Sequence, residues 1–388
     1  MCKQIKFVVL VVLSILIFSF SLHGEVFTSD QYGYSIDFPE GFTIANASGE
    51  ESYFFAHQSF PLSAVLRIYT DGRYTDVKTA SDDSLKKLGA SSDTNTFQWR
   101  NTACALSYFT MTMDNTKYEG WGFSSSLPSG RGMLFFMMYT PQENYAVYNK
   151  CILSSIDSIC IDRGSFFESG PVTAFAYPPE GKKNVQLSIA GLTVPVTVDI
   201  IDAEAGEFVV EREFNVLTLY AGTALQERAR QRYYQLIYRD AYGRLKKASF
   251  EISAVIGSKA QELNPSLPEF YTAASLLSWT QNFPYERNFS KSDFTHPVSA
   301  LQGVGSDCDS RAMLLAILYR EMNIKAQFFL STEYSHSVVG IDIPGKGARI
   351  DYEGRTYLLG ETTAKVDLGL MAQDMSDSSK WFVIPLAE

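Results

Sequence analysis

Cysteine is sparse in this chain of 388 residues: Cys2, Cys104, Cys151, Cys160 and Cys308 are the whole complement. Their spacing matches neither a disulfide framework nor a zinc-binding pattern. Basic residues are in deficit too, 33 against 43 acids for a formal charge of -10, which argues against a nucleic-acid partner. No EF-hand-type calcium loop, internal repeat or low-complexity tract is present, and neither a cofactor nor a metal is expected. Apolar and aromatic residues are plentiful, at 46% and 14%, enough to bury a sizeable core.

One long apolar run stands at the start, where Lys3 and Lys6 precede Phe7 to Phe20, broken only by Ser14 and Ser19. It is short for a membrane-spanning helix, which needs about 20 apolar residues. With Ser19, Ser21 and Gly24 as small cleavage points it reads as a signal peptide over residues 1–24, and no cysteine follows to take a lipid. An exported protein, periplasmic or extracellular, is therefore expected. Loss of two lysines leaves 31 basic residues (33 less 2) against 43 acids. The remaining stretch has room for two or three domains at ~100–200 residues each. An oxidising compartment permits a Cys104 bridge to Cys151 or Cys160; buried free thiols are the simpler expectation.

Residues 25–160 read as a mostly β domain. In "YSIDF", Tyr34, Ile36 and Phe38 share one strand face, and "PEGF" is a turn. Further strands are expected at 63–69, 104–113, 119–125 and 132–139, and helices at 77–88 and 142–159. His57 is the only histidine here and is assigned a structural or surface role. The opening "FTSDQYGYSIDFPEGF", the strand series and the closing "YNKCILSSIDSI" resemble the PsbP/Mog1 type of domain, an antiparallel sheet flanked by helices. That resemblance implies a binding or assembly module, with a possible envelope partner, and no catalytic group.

Residues 161–222 read as linker and β-hairpin. Gly, Pro and Ser mark the linker to about 183; Val185, Leu187 and Ile189 then alternate, Ala190 and Gly191 turn the chain, and Leu192 to Ile200 alternate again. The stretch 202–220 fits helix or strand equally. A helix is expected from 223 to 256, and its basic residues, among them Arg228, Arg230, Arg232, Arg239, Arg244, Lys246 and Lys247, read as a solvated face.

The chemistry concentrates in residues 223–388. In "GVGSDCDSRAMLL", Ser306 or Asp307 is a helix N-cap, and Ala312, Leu315, Ala316, Tyr319 and Met322 recur at helical spacing. Cys308 then lies in the first turn, where unpaired N–H groups and the helix dipole favour a thiolate. Asp307 and Asp309 oppose that trend, so a cationic partner is needed. His336, on an alternating strand in "YSHSVVGIDI", is the candidate, and Glu361 in "GRTYLLGETTA" is the candidate to orient its ring, with Asp342 and Asp351 competing. Gln302 and Gln281 are oxyanion candidates beside the Cys308 N–H. His296 is read as a loop residue.

"PVSALQGVGSDCDSRAMLLAILYREMNIKAQFFL", His336 and "GRTYLLGETT" together resemble the transglutaminase-like superfamily, as does the preceding "LLSWTQNFPYERN". The match covers about 275–370, with two departures: Ser306 is inserted into the usual Gly-Asp-Cys, and the acid is glutamate. The resemblance implies an α+β, papain-like core of helices packed on an antiparallel sheet. It implies a Cys308–His336–Glu361 acyl-enzyme mechanism on a protein or peptide substrate, giving peptidase or amidase activity. The alternatives are protein cross-linking and a non-catalytic binding or assembly protein that keeps the fold.

Overall fold

A computed structural model describes residues 26–287 and 292–386, so the expected signal peptide lies outside the described residues. Strands β1 (Phe27–Ser29) and β2 (Tyr34–Ile36) pair with each other. A seven-stranded antiparallel sheet follows: β3 (Phe42–Ser48), β4 (Ser52–His57), β5 (Ser63–Tyr69), β6 (Ser91–Trp99), β7 (Thr102–Met113), β8 (Thr116–Ser126) and β9 (Met133–Pro141), in the order 3-4-5-9-8-7-6. Helix α1 (Val77–Lys87) is capped by Asp76, which accepts the Thr79 N–H at 2.7 Å, and α2 (Tyr145–Asp157) closes the module. The four strands expected from 63 to 139 are all present. The strands that sequence missed include the sheet's two edges, β3 and β6, whose mostly exposed side chains give no apolar alternation.

The expected linker is more ordered than its composition implies. Pro171 opens α3 (Pro171–Ala176), and the buried Asp157 carboxylate accepts from Thr173 N at 2.8 Å and Thr173 Oγ1 at 2.6 Å, which ties α3 to the end of α2. Hairpin β10 (Lys182–Ile189) and β11 (Leu192–Asp199) turns at Ala190 and Gly191, both at positive φ. The ambiguous stretch is helix α4 (Asp202–Thr218). Then come α5 (Gln226–Ile252), α6 (Ser258–Leu263), α7 (Pro268–Thr280), α8 (Pro297–Leu301) and α9 (Cys308–Glu321). A second antiparallel sheet, in the order 14-15-13-12-16, comprises β12 (Ala326–Ser331), β13 (His336–Ile341), β14 (Arg349–Tyr352), β15 (Arg355–Gly360) and β16 (Phe382–Ile384). The chain is thus α+β, with antiparallel sheets flanked by helices.

Two large cores result, and α4 and α5 belong to both. Val209, Val210 and Ile237 join the core around α9, while Val216, Tyr220 and Ala229 join the core under the N-terminal sheet. Every residue of α9 from Ser310 to Tyr319 is buried, so this helix is enclosed all round and shows little amphipathic bias.

The basic helix corrects the reading of a solvated face. Arg228, Lys246 and Lys247 are exposed, but Arg232, Arg239 and Arg244 are sunk into the protein, Arg232 and Arg244 in ion pairs and Arg239 in hydrogen bonds. Arg232 Nε meets Asp37 Oδ1 at 3.1 Å and its Nη1 meets Glu213 at 3.2 Å; Glu213 also holds Arg212, which pairs with Asp157 at 2.7 Å. Arg239 donates to Phe166 O, Ser158 O and the Cys160 sulfur. Burying these cations satisfies polar groups between the two halves, where unpaired charge would be costly. Cys104, Cys151 and Cys160 are buried free thiols.

Candidate active site

Asp307 is the N-cap of α9: its Oδ1 accepts from Ser310 N at 2.9 Å and from Ser310 Oγ, which places Cys308 at the first helical position, 6% exposed. The inserted Ser306 finds a use here. Its N–H donates to Pro284 O, and its hydroxyl accepts from Arg311 Nε at 3.3 Å. Arg311, one turn after Cys308, also donates to Phe283 O and Thr362 O, so one buried guanidinium joins the cysteine turn, the segment before it and the loop that carries Glu361.

Strand β13 packs on α9, with Val339 and Ile341 in the core they share. Strand alternation puts Ser337 on that same face, near enough to the Cys308 sulfur to draw its pKa down, although the buried Ser337 hydroxyl has no hydrogen-bond partner among the described residues. His336 is the first residue of β13, and its ring lies edge-on to Trp381 at 6.2 Å. Its Nε2 meets Glu361 Oε2 at 2.7 Å. The other oxygen, Oε1, accepts from Thr363 N at 2.7 Å, Thr363 Oγ1 at 2.6 Å and Ala364 N at 3.4 Å. Burial pushes the Glu361 carboxyl upward, but the hydrogen bond and charge of His336 and the Thr363 donors outweigh it and bring the pKa down to about 2. A carboxylate so held fixes the ring, places the proton on Nε2 and leaves Nδ1 as the basic nitrogen, which has no hydrogen bond among the described residues.

The two competing acids go elsewhere: Asp342 pairs with Arg355 at 2.6 Å, and Asp351 accepts from Thr356 Oγ1 at 2.6 Å. Gln281 spends its Nε2 protons on Glu361 O and Val366 O, at 2.8 and 2.9 Å, and so secures the glutamate loop. Gln302 accepts from Lys183 through Oε1 at 2.9 Å. His57, buried, meets Glu40 O and stacks on Phe60. His296 is fully buried and caps α8, with Nε2 3.2 Å from Asp240 Oδ2.

The Cys308 thiol is not ionised by its surroundings. Its S–H points to Asp309 Oδ1 at 3.4 Å rather than to His336. Burial, then Asp309 and then Asp307 push its pKa well above the ordinary thiol value, and Ser337 offsets only part of that. Asp307 is pushed up as well, first by burial and then by Asp309. Asp309 Oδ2 takes the Tyr234 hydroxyl at 2.5 Å. Asp307, Cys308 and Asp309 offer three ligand atoms within 4.8 Å of one another, but protein donors already engage both carboxylates. Sequence reasoning missed Ser337, Thr363, Arg311 and Trp381. "ETT" was a usable signal for Thr363; nothing in the sequence marks Trp381, which reaches the histidine from 45 residues away.

The chain matches no protein-family model and no curated protein. Among solved structures, its N-terminal portion is similar to cyanobacterial PsbP (CyanoP) from Synechocystis sp. PCC 6803, at 11% identity and a TM-score of 0.30 over 35% of this chain and 91% of that one. It is also similar to the Ran-binding protein Mog1p of Saccharomyces cerevisiae, at 8% identity and 0.28 over 36% and 97%. A Bacteroides thetaiotaomicron protein is similar over 86% of this chain and 89% of its own, at 12% identity and 0.27. Scores and identities this low carry no argument about function. Among the described residues, no helix is long and apolar enough to cross a membrane.

Proposed function

We propose that this chain is an exported, transglutaminase-like cysteine hydrolase acting on an amide bond in a protein or peptide. The observation that carries the reading is the His336–Glu361 pair at 2.7 Å, with His336 opening the strand that packs on the helix of Cys308. In the proposed reaction, His336 Nδ1 takes the thiol proton as sulfur attacks the carbonyl carbon. The S–C bond forms, the C–N bond breaks, and His336 returns the proton to the leaving amine. Water then attacks the thioester, again through His336, and releases the acid and the thiol. The resting S–H, held toward Asp309 Oδ1 at 3.4 Å, must turn to His336 for the first proton transfer. Export rests on the apolar run after Lys3 and Lys6.

The test is to incubate the full chain with a peptide library, with and without a primary amine, and to follow products by mass. Hydrolysed products that vanish in both Cys308→Ala and His336→Ala support the reading. Amine-linked peptides as the main species move the assignment to cross-linking. No Cys308-dependent product, with Cys308 alkylation unchanged in His336→Ala, overturns it in favour of a binding protein.

A further inference from the structure

A groove of about 1420 Å³ runs beside the cysteine turn, lined by α4 on one side and by residues 285–287, 292–295, 299, 304 and 305 on the other. Five carboxylates line it against one guanidinium, Arg287, which already pairs with Asp293 at 2.6 Å. Glu204, Glu207 and Glu211 follow one another at three and four residues along α4, so they share one helix face. Glu286 stands opposite, and Gly305 is bare there because a β-carbon would lie 2.3 Å from the Glu286 carboxyl carbon. Ser299 also lines the groove: it is 2% exposed, and its hydroxyl has no hydrogen-bond partner among the described residues. An orphaned buried hydroxyl in a groove is a group awaiting a ligand atom.

The groove is joined to the chemistry. Tyr285 lines it, bridges to Ser306 in the cysteine turn, and lies close enough to Cys308 and Asp307 for their charges to raise its own pKa after burial. Tyr177 and Phe208, ring centroids 5.1 Å apart, supply aromatic faces next to the carboxylates. Carboxylates beside aromatic faces suit lysine and arginine side chains, which offer both a charged head and an apolar stem. We infer that this groove binds a lysine- or arginine-rich segment of the substrate and delivers the neighbouring amide to Cys308. The inference deepens the acyl-transfer reading and rests on it for the word substrate; the cationic binding itself does not.

The experiment separates the two. Fluorescence anisotropy of a labelled hexalysine peptide is measured on the full chain, on Cys308→Ala and on the triple variant Glu204→Gln/Glu211→Gln/Glu286→Gln, with a Gly-Ser hexapeptide as the neutral probe. Each of those glutamates is exposed, so the triple variant keeps the fold, which thermal melting checks. Hexalysine should bind the full chain and Cys308→Ala alike. The triple variant should weaken it by about tenfold or more, and raising salt from low to physiological strength should weaken it further. The remote triple variant Glu50→Gln/Asp93→Asn/Glu143→Gln should leave binding unchanged. Equal binding of the neutral probe, unchanged binding in the groove variant, or an equal loss in the remote variant overturns the inference. Binding in Cys308→Ala isolates this result from any failure of catalysis.

Discussion

Replacing Asp309 by Asn should make Cys308 more reactive, although it removes the sulfur's own hydrogen-bond partner. Asp309 Oδ1 lies 3.4 Å from Sγ. At that distance and an effective dielectric near 20, two like unit charges repel by about 5 kcal/mol, which corresponds to roughly three and a half pKa units. The substitution removes that repulsion and keeps an oxygen to accept from Tyr234, so the junction with α5 survives. More thiolate is formed, but each thiolate is less nucleophilic. With a Brønsted slope near 0.45, a one-unit drop gives about a threefold faster reaction below the pKa, and the full drop about ninetyfold. The assay is the rate of iodoacetamide alkylation across pH, with Cys308→Ser as the blank that subtracts any reaction of Cys104, Cys151 and Cys160. An Asp309→Asn rate equal to or below that of the unaltered protein refutes the argument that Asp309 adds a large repulsion to the effect of burial on the sulfur.

Two further outcomes test stability. Glu361 is depressed from the ordinary 4.5 to about 2, so its contribution of about 3 kcal/mol is complete above about pH 4.5 and lost as pH falls through 2. About 2 kcal/mol of it should be gone by pH 3, and urea unfolding of Glu361→Gln should show a correspondingly shallower loss of stability between pH 5 and pH 3. Arg212→Met leaves Asp157 and Glu213 buried without their shared cation and should cost about 3–5 kcal/mol at neutral pH, read from the urea midpoint. A loss under about 1 kcal/mol would mean that water reaches those carboxylates.

Much of the fold was legible because it depends on local period. The strand at 63–69 alternates, that at 132–139 is an unbroken apolar run buried on both faces, and the helix of Cys308 begins at a capping aspartate. The elements that could not be read obey no local rule. Strand β6, "SSDTNTFQW", is an edge that exposes its polar residues, and α4 looked ambiguous because its two ends serve two different cores. The arginines of α5 looked like a solvated face for the same reason: charge in a sequence does not show its partners, and Asp37, which meets Arg232, lies 195 residues away. At the site, the order of Cys308, His336 and Glu361 was readable, whereas Ser337 beside the sulfur follows from strand pleat and Arg311 from the turn it ties.

The acids on either side of Cys308 now have structural causes. Asp307 caps α9 through Ser310, and Asp309 takes the Tyr234 hydroxyl from α5, so each fixes the helix start that carries the sulfur. Their cost is a thiol whose pKa both acids push up, so the position at a helix start does not by itself make Cys308 a thiolate. The same α5 holds Asp309 through Tyr234, Asp37 through Arg232 and Cys160 through Arg239. One helix therefore braces the cysteine turn and grips the N-terminal sheet module within about two turns. The module is built into the support of the site, through buried charge that only a folded partner can satisfy.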